Sequence, residues 1–228
     1  MKRKFDPAVL ELMDRPQPVT RELERDLANI RSLNRWFGSY RQVRHFLVRW
    51  LKPNDKARIL DVSTGSGDIP RLIVDFARER NISVQIDAID QQGSTIEIAR
   101  GLSNDYPEIE FFCANLFAWN PSESYDIVLC SLTLHHFSED DAVGVLKKCR
   151  EFTRRHVLVA DLRRSLWLTI GVYLVTATIY HEAMTKTDAR LSVARAFSFT
   201  ELRELALRAG WKNFGHRKFL VGRQVIWL

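Results

Sequence analysis

Cysteine is scarce in this chain: Cys113, Cys130 and Cys149 are three thiols among 228 residues, odd in number and without Cys-x-x-Cys spacing. A disulfide framework and a thiolate metal site are therefore excluded as organising devices, and three free, buried thiols in a reducing compartment are expected. Long apolar runs are also scarce. The one long stretch, residues 166–180, has 15 members, short of the roughly 20 that a membrane-spanning helix needs. The start, Lys2-Arg3-Lys4-Phe5, is charged and is followed by no apolar core, so no secretory signal is expected and the reading is a cytoplasmic protein. Nor is there a long basic run. Basic residues outnumber acidic ones 34 to 28, a net charge of +6, but occur as doublets such as Arg154-Arg155 and Arg163-Arg164, which favours a solvated surface over a nucleic-acid footprint. No internal repeat, low-complexity tract or flexible linker breaks the chain. At 46% hydrophobic, it is long enough for one sizeable α/β core, and a separate second domain would be cramped.

What is present is organised around residues 58–73. Arg58-Ile59-Leu60-Asp61-Val62 has the content of a buried strand, Thr64-Gly65-Ser66-Gly67-Asp68 supplies small residues for a tight turn, and Leu72, Ile73 and Phe76 follow at helical spacing. A strand, glycine turn and helix in that order let a ligand lie on main-chain atoms, because glycine has no Cβ and the helix start has free N–H groups. Asp61 sits at the first strand end. A second aliphatic run, residues 84–89, ends in Asp90, 23 residues after Gly67. A carboxylate there either accepts hydrogen bonds from both hydroxyls of a ribose or caps the helix that begins near Ser94.

Asp61-x-x-x-Gly65-x-Gly67, then Asp90, then the segment Tyr125-Asp126-Ile127-Val128-Leu129-Cys130-Ser131, resembles the class I S-adenosylmethionine-dependent methyltransferase superfamily over residues 54–228. Where many members carry glycine, this chain has Ser63 and Ile69. The resemblance implies an α/β fold: a Rossmann-like, seven-stranded, mostly parallel sheet with an antiparallel last strand. To this it adds an N-terminal helical cap over residues 1–53 and a helical lid inserted after the fifth strand at about 163–197. It implies S-adenosyl-L-methionine as cofactor and S-adenosyl-L-homocysteine as product. The cofactor contacts it implies are Arg35, Asp61, Ser63, Thr64, Gly65, Gly67, Asp90, Gln91, Asn115, Leu116 and Ser131. More narrowly, Glu11-x-Met13-Asp14 with Asn34-Arg35-x-x-Gly38 resembles bacterial small-molecule methyltransferases of polyketide and quinone type.

Several of these positions have a second reading. Arg35 fits either the methionine carboxylate in two-point geometry or an ion pair within the N-terminal helices. Those helices are marked by Leu23, Leu27, Ile30 and Leu33 on one face and by Val43, Phe46, Leu47, Trp50 and Leu51 on another. Asn115, closing a third strand over residues 109–114, fits the adenine edge or an Asx turn. His135 and His136 follow the fourth strand. As imidazoles they are candidates to take a proton from a phenol or enol, His135 ahead of His136, or to serve as loop structure. Asp161, at the end of a fifth strand over residues 156–162, suits a substrate hydroxyl, a histidine partner or an arginine pair.

Trp36 and Tyr40 are the aromatic candidates for the sulfonium. Residues 166–180, apolar around most of a helix, must be covered on more than one side and suit a lid, with His181 at the far end, or a dimer or membrane contact. Arg195, in Asp188-x-x-x-Ser192-x-x-Arg195-x-Phe197, is a candidate substrate contact or a packing residue. Capping boxes are expected at Ser138 and at Ser198-x-x-Glu201.

The function implied is methyl transfer, most simply to oxygen, onto a small lipophilic acceptor such as a phenol, a quinol or a polyketide-like compound, by a monomer or homodimer that requires no metal. The alternatives are an RNA or protein methyltransferase, a nicotinamide dehydrogenase and a non-catalytic binding protein on the same scaffold. An Asn-Pro-Pro-Tyr-like motif and the third glycine of a dinucleotide turn are both missing.

Overall fold

The computed structural model describes residues 2–180 and 182–228. Two helices come first, α1 (Arg21–Trp36) and α2 (Ser39–Trp50). Thr20 starts α1 by accepting the Leu23 N–H on its hydroxyl, a cap worth about 1 kcal/mol. The chain then alternates: β1 (Lys56–Val62), α3 (Asp68–Glu79), β2 (Ser83–Asp90), α4 (Gly93–Gly101), β3 (Ile109–Cys113) and β4 (Tyr125–Ser131). It continues through α5 (Glu139–Phe152), β5 (Thr153–Leu162), α6 (Leu166–Thr178), α7 (Ala183–Arg195), α8 (Phe199–Arg208), β6 (Gly215–Phe219) and β7 (Arg223–Trp227).

The seven strands form one sheet in the order β3-β2-β1-β4-β5-β7-β6. All pairings are parallel except those of β7, which runs antiparallel to both β5 and β6. The resemblance anticipated this arrangement. It puts the reversal of strand order between β1 and β4, and crevices outside the carboxyl ends of strands at such a switch point are where α/β sheets bind ligands. The core lies on both faces of the sheet. Val43, Phe46 and Leu47 of α2 join Ile59, Ile73, Phe76, Ile86 and Ile127 on one side; Leu60, Val128, Leu146, Val157, Phe197 and Leu202 make the other. Leu60 and Ile59 are both fully buried, so truncating either to alanine would cost about 2–5 kcal/mol.

Four sequence expectations need correction. Cys113 is exposed, because β3 is the sheet's edge and Cys113 is its last residue; Cys130 and Cys149 are buried thiols as expected. The fifth strand starts at Thr153, ahead of His156, since α5 runs straight into it and the Thr153 hydroxyl, with one proton to give, lies 3.0–3.3 Å from the carbonyls of Tyr125, Asp126 and His156. The box at Ser198 is complete, but at Ser138 the aspartate side chain accepts from the cap's own hydroxyl instead of its N–H. Finally, α6 is not covered all round: Leu166, Trp167 and Leu174 are 58%, 81% and 61% exposed. Its only fully buried residue is Thr176. No helix among the described residues is long and apolar enough to cross a membrane.

Candidate active site

A cavity of about 750 Å³ opens at the switch point, lined by the turn after β1, the ends of β2 and β4, and residues of α1, α6 and α7. Its first wall is the glycine turn. Ser63 at φ +55°, Gly65 at +56° and Gly67 at +72° all lie in the left-handed region, which an L-residue enters at a cost of about 1–2 kcal/mol. That explains the preference for glycine where Ser63 stands. A Cβ on Gly65 would meet nothing within 4 Å, whereas one on Gly67 would come 2.8 Å from the Phe111 ring. Gly67 therefore lets α3 approach β3 and does not line the cavity. The Arg71 guanidinium holds the turn by donating to the Ser66 carbonyl at 2.8 Å.

Two carboxylates stand behind the turn. Asp90 accepts the Gly65 N–H on Oδ2 at 2.9 Å and the Gln92 N–H on Oδ1 at 3.0 Å. Burial raises its pKa against those two bonds. Asp61, 2% exposed, is pushed up to about 7 by burial, against the Thr64 hydroxyl and with the charges of Asp68 and Asp90. Ser63, Thr64, Gly65, Gln91 and Ser131 line the same cavity beside them.

The second wall is the loop after β4. Leu132 takes φ +55°, a second left-handed L-residue on the cavity wall, and turns the chain so that His135 lies under Asp161. The Asp161 carboxylate accepts the His135 main-chain N–H at 2.9 Å and meets His135 Nδ1 at 2.6 Å. Although burial pushes Asp161 up, the His135 charge and hydrogen bond hold it below the usual carboxylate range. His136 Nδ1 meets Asp14 Oδ2 at 2.7 Å. Burial opposes its charge, but Glu11 and Asp14 raise its pKa to about 10.

The third wall comes from the chain ends that close over the sheet. Asp188 of α7 accepts the N–H groups of Leu12 and Met13 at 2.8 and 3.0 Å. It thereby ties the 3-10 turn Leu12–Asp14 to that helix. Leu168, Val172 and Val175 of α6, with Leu27, Ile30 and Leu33 of α1, make the apolar part of the lining.

Of the residues anticipated from sequence, Asp61, Ser63, Thr64, Gly65, Asp90, Gln91, Ser131, His135 and His136 line this one cavity. Others do not. Arg35 and Trp36 point to solvent at the end of α1, Trp36 at 76% exposure, because the cavity-facing stripe of that helix is Leu27, Ile30, Leu33 and Asn34. Tyr40 packs on the core beside Asp68, which with burial raises its hydroxyl pKa. Asn115 closes an Asx turn by accepting the Phe117 N–H at 2.8 Å, and Leu116 is buried in the core below. Asp161 is the partner of His135 and lies behind the lining. Arg195 donates to the carbonyls of Asp6 and Val9, pinning the N-terminal segment. His181 lies outside the described residues.

Sequence reasoning noted Glu11 and Asp14 only as part of a resemblance, and it assigned no role to Asn34 and Asp68, which are hydrogen-bonded at 3.0 Å on the cavity wall. No local signal marks them, because each gains its meaning from a partner distant in the chain.

A family profile described as a methyltransferase domain matches residues 59–156. A search of curated proteins finds no match. Among solved structures, the plantazolicin methyltransferase BpumL in complex with SAH is similar at a TM-score of 0.65 and 11% identity, over 91% of this chain and 88% of that one. Human N-acetylserotonin methyltransferase in complex with SAM is similar at 0.66 and 13%, over 90% and 55%. An O-methyltransferase family 2 protein from Planctomyces limnophilus in complex with apigenin is similar at 0.55 and 18%, over 75% and 49%. The chain thus spans about half the length of the last two, and at these identities the likeness speaks for the fold. With a methyltransferase-domain profile matching its first strands and a sheet reversing between β1 and β4, the chain has the Rossmann-like fold of the class I S-adenosylmethionine-dependent methyltransferases.

Proposed function

We propose that this protein transfers a methyl group from S-adenosylmethionine to an oxygen of a small, lipophilic acceptor such as a phenol, quinol or polyketide-like compound. One observation carries the reading: a single cavity of about 750 Å³ is lined at once by the glycine turn, by the two histidines and by the apolar face of α6. Cavities of this size are typical of small-molecule sites. In this reading residues 1–53 are a cap and residues 163–197 a lid.

The cofactor fits the residues present. Asp90 lies at the end of the second strand with its carboxylate on the Gly65 N–H, where it can accept ribose hydroxyls. The open space over Gly65 lets a ligand approach the main chain. Bound there, the cofactor supplies an already activated methyl group. The chain's own part is to hold the acceptor in line and to keep water out, an effect worth several kcal/mol of barrier. The Asp161 carboxylate fixes His135 through Nδ1, which leaves Nε2 as the atom able to take the acceptor's proton. Nε2 would hold that proton while the acceptor oxygen's electron pair forms the bond to the methyl carbon and the carbon–sulfur pair leaves with sulfur, giving neutral S-adenosylhomocysteine. Leu168, Val172 and Val175 favour an acceptor with little charge.

Support by likeness comes from the neighbours, which hold SAH, SAM or apigenin. The test is titration calorimetry with S-adenosylhomocysteine, followed by incubation with S-adenosylmethionine and a panel of phenols, quinols and hydrophilic alcohols under mass spectrometry. Tight uptake and methylated phenol or quinol are expected; no uptake, or product only from hydrophilic acceptors, refutes the reading.

A further inference from the structure

We propose that Glu11, His135 and His136 form a binding site for one divalent transition-metal cation on the wall of this cavity. A carboxylate oxygen of Glu11 and one ring nitrogen from each histidine lie within 4.8 Å of one another, and His136 Nε2 stands 3.9 Å from Glu11 Oε2. Two atoms each bound at about 2.0–2.2 Å to one ion are separated by roughly 3–4 Å. Side-chain shifts of up to about an ångström would therefore complete the coordination.

The shell behind these three groups is what marks them as ligands. A metal-bound imidazole characteristically gives its other nitrogen to a carboxylate, which fixes the ring and raises its basicity. Here both do: His135 Nδ1 is held by Asp161 at 2.6 Å and His136 Nδ1 by Asp14 at 2.7 Å. That leaves Nε2 of each as the nitrogen free to ligate. Glu11 is oriented in the same way, since the Ser192 hydroxyl donates to its Oε1 at 2.9 Å and leaves Oε2 for the histidine side. The segment that carries Glu11 is itself tied to α7 through Asp188.

The charge balance points the same way. Glu11 is 2% exposed; among the described residues Ser192 is its one side-chain hydrogen-bond donor and His136, at 3.9 Å, its one ion-pair partner, so a bound cation would take the place of the imidazole proton opposite this carboxylate. The guanidinium groups of Arg3 and Arg195 are engaged by main-chain carbonyls, Arg3 by those of His135, Phe137 and Arg195 and Arg195 by those of Asp6 and Val9.

Two imidazoles with one carboxylate suit zinc, iron, cobalt or nickel, and not magnesium or calcium, which favour oxygen ligands throughout. Three protein ligands leave open positions toward the cavity. The ion's role rests on the methyl-transfer reading. An acceptor hydroxyl that binds it is acidified and loses its proton to solvent. The oxygen pair then forms the bond to the methyl carbon as the carbon–sulfur bond breaks, its electrons returning to sulfur. With the ion in place His135 Nε2 is a ligand, and coordination replaces direct proton removal.

The test uses the full-length protein, stripped with a chelator and titrated with cobalt(II). Ligand-field absorption and close to one equivalent of cobalt by elemental analysis are expected, displaced by zinc and not by excess magnesium. E11Q and H136N should each weaken uptake by more than about tenfold. D14N, which touches no ion and is more exposed should E11Q not fold, should weaken it about 10- to 100-fold. Absence of stoichiometric uptake, or uptake equal in wild type and all three variants, overturns the site and leaves a hydrogen-bonded histidine–carboxylate cluster. S-adenosylhomocysteine titration is run alongside. Cobalt uptake without S-adenosylhomocysteine uptake refutes the methyl-transfer reading but not the cation site, and the converse refutes only the site.

Discussion

Asp161 holds His135 at two points, its Oδ2 on the main-chain N–H at 2.9 Å and its Oδ1 on Nδ1 at 2.6 Å. One carboxylate thereby sets both the path of the loop after β4 and the rotation of the imidazole. D161N keeps the shape but offers Nδ1 an amide in place of a charge. Steady-state kinetics should show kcat lowered by about 10²-fold or more, with S-adenosylhomocysteine affinity by calorimetry close to that of wild type. An unchanged kcat would remove His135 from the chemistry.

Asp90 is the carboxylate expected to bind the ribose. D90A removes acceptors of the charged kind, worth about 1.5–3 kcal/mol each, so the calorimetric Kd for S-adenosylhomocysteine should rise at least tenfold. R35A and W36A act on side chains that face solvent outside the cavity. Both should leave that Kd unchanged and shift stability by less than about 0.5 kcal/mol.

Gly67 carries a backbone φ of +72° and faces the Phe111 ring with no room for a methyl group. G67A combines left-handed strain with overpacking and should cost about 2–4 kcal/mol. Thermal unfolding should show a clear drop in Tm, while G101A, at a helical glycine with open space around it, should not lower it.

Asp26 is 1% exposed, and burial, together with the charges of Glu11, Glu22 and Glu182, pushes it up to about 6 against a hydrogen bond from Thr185. Between its ordinary value of 3.8 and about 6 the folded state binds the extra proton. Its contribution to stability is therefore complete below the unfolded value and falls away as the pH rises through 6. Hydrogen-exchange protection factors in α1 and α7, corrected for the pH dependence of the intrinsic rate, should be higher at pH 5 than at pH 8, and D26N should flatten that difference.

The strand–turn–helix signature from Ile59 to Ile73 was legible because its determinants are local: β-branched residues for β1, glycines for positive φ, an apolar stripe for α3. Asp90 was legible for the same reason, since the length of α3 sets the distance from the turn to the end of β2. The boundaries of β4 and β7 could also be read, each being an apolar run between turn residues.

Misreadings came wherever facing mattered. Arg35 and Trp36 follow a cavity-lining residue in sequence but lie around the helix from it, and one or two positions at 100° each turned them to solvent. Asp161 had three chemically sound partners and Asn115 and Arg195 two each: His135 took Asp161 and the carbonyls of Asp6 and Val9 took Arg195 from far along the chain, while Asn115 closed on the nearby Phe117 N–H.

By itself, then, the sequence determined the order of elements, the parallel sheet and the glycine turn against which a nucleoside would lie, because each depends on residues within about a dozen positions of one another. Only the tertiary structure decided that Glu11, Asp14, Asp161 and two histidines converge on one cavity. Their separations run from one residue to 150, and a chain's local preferences carry no record of which distant carboxylate will face which imidazole once the sheet has closed.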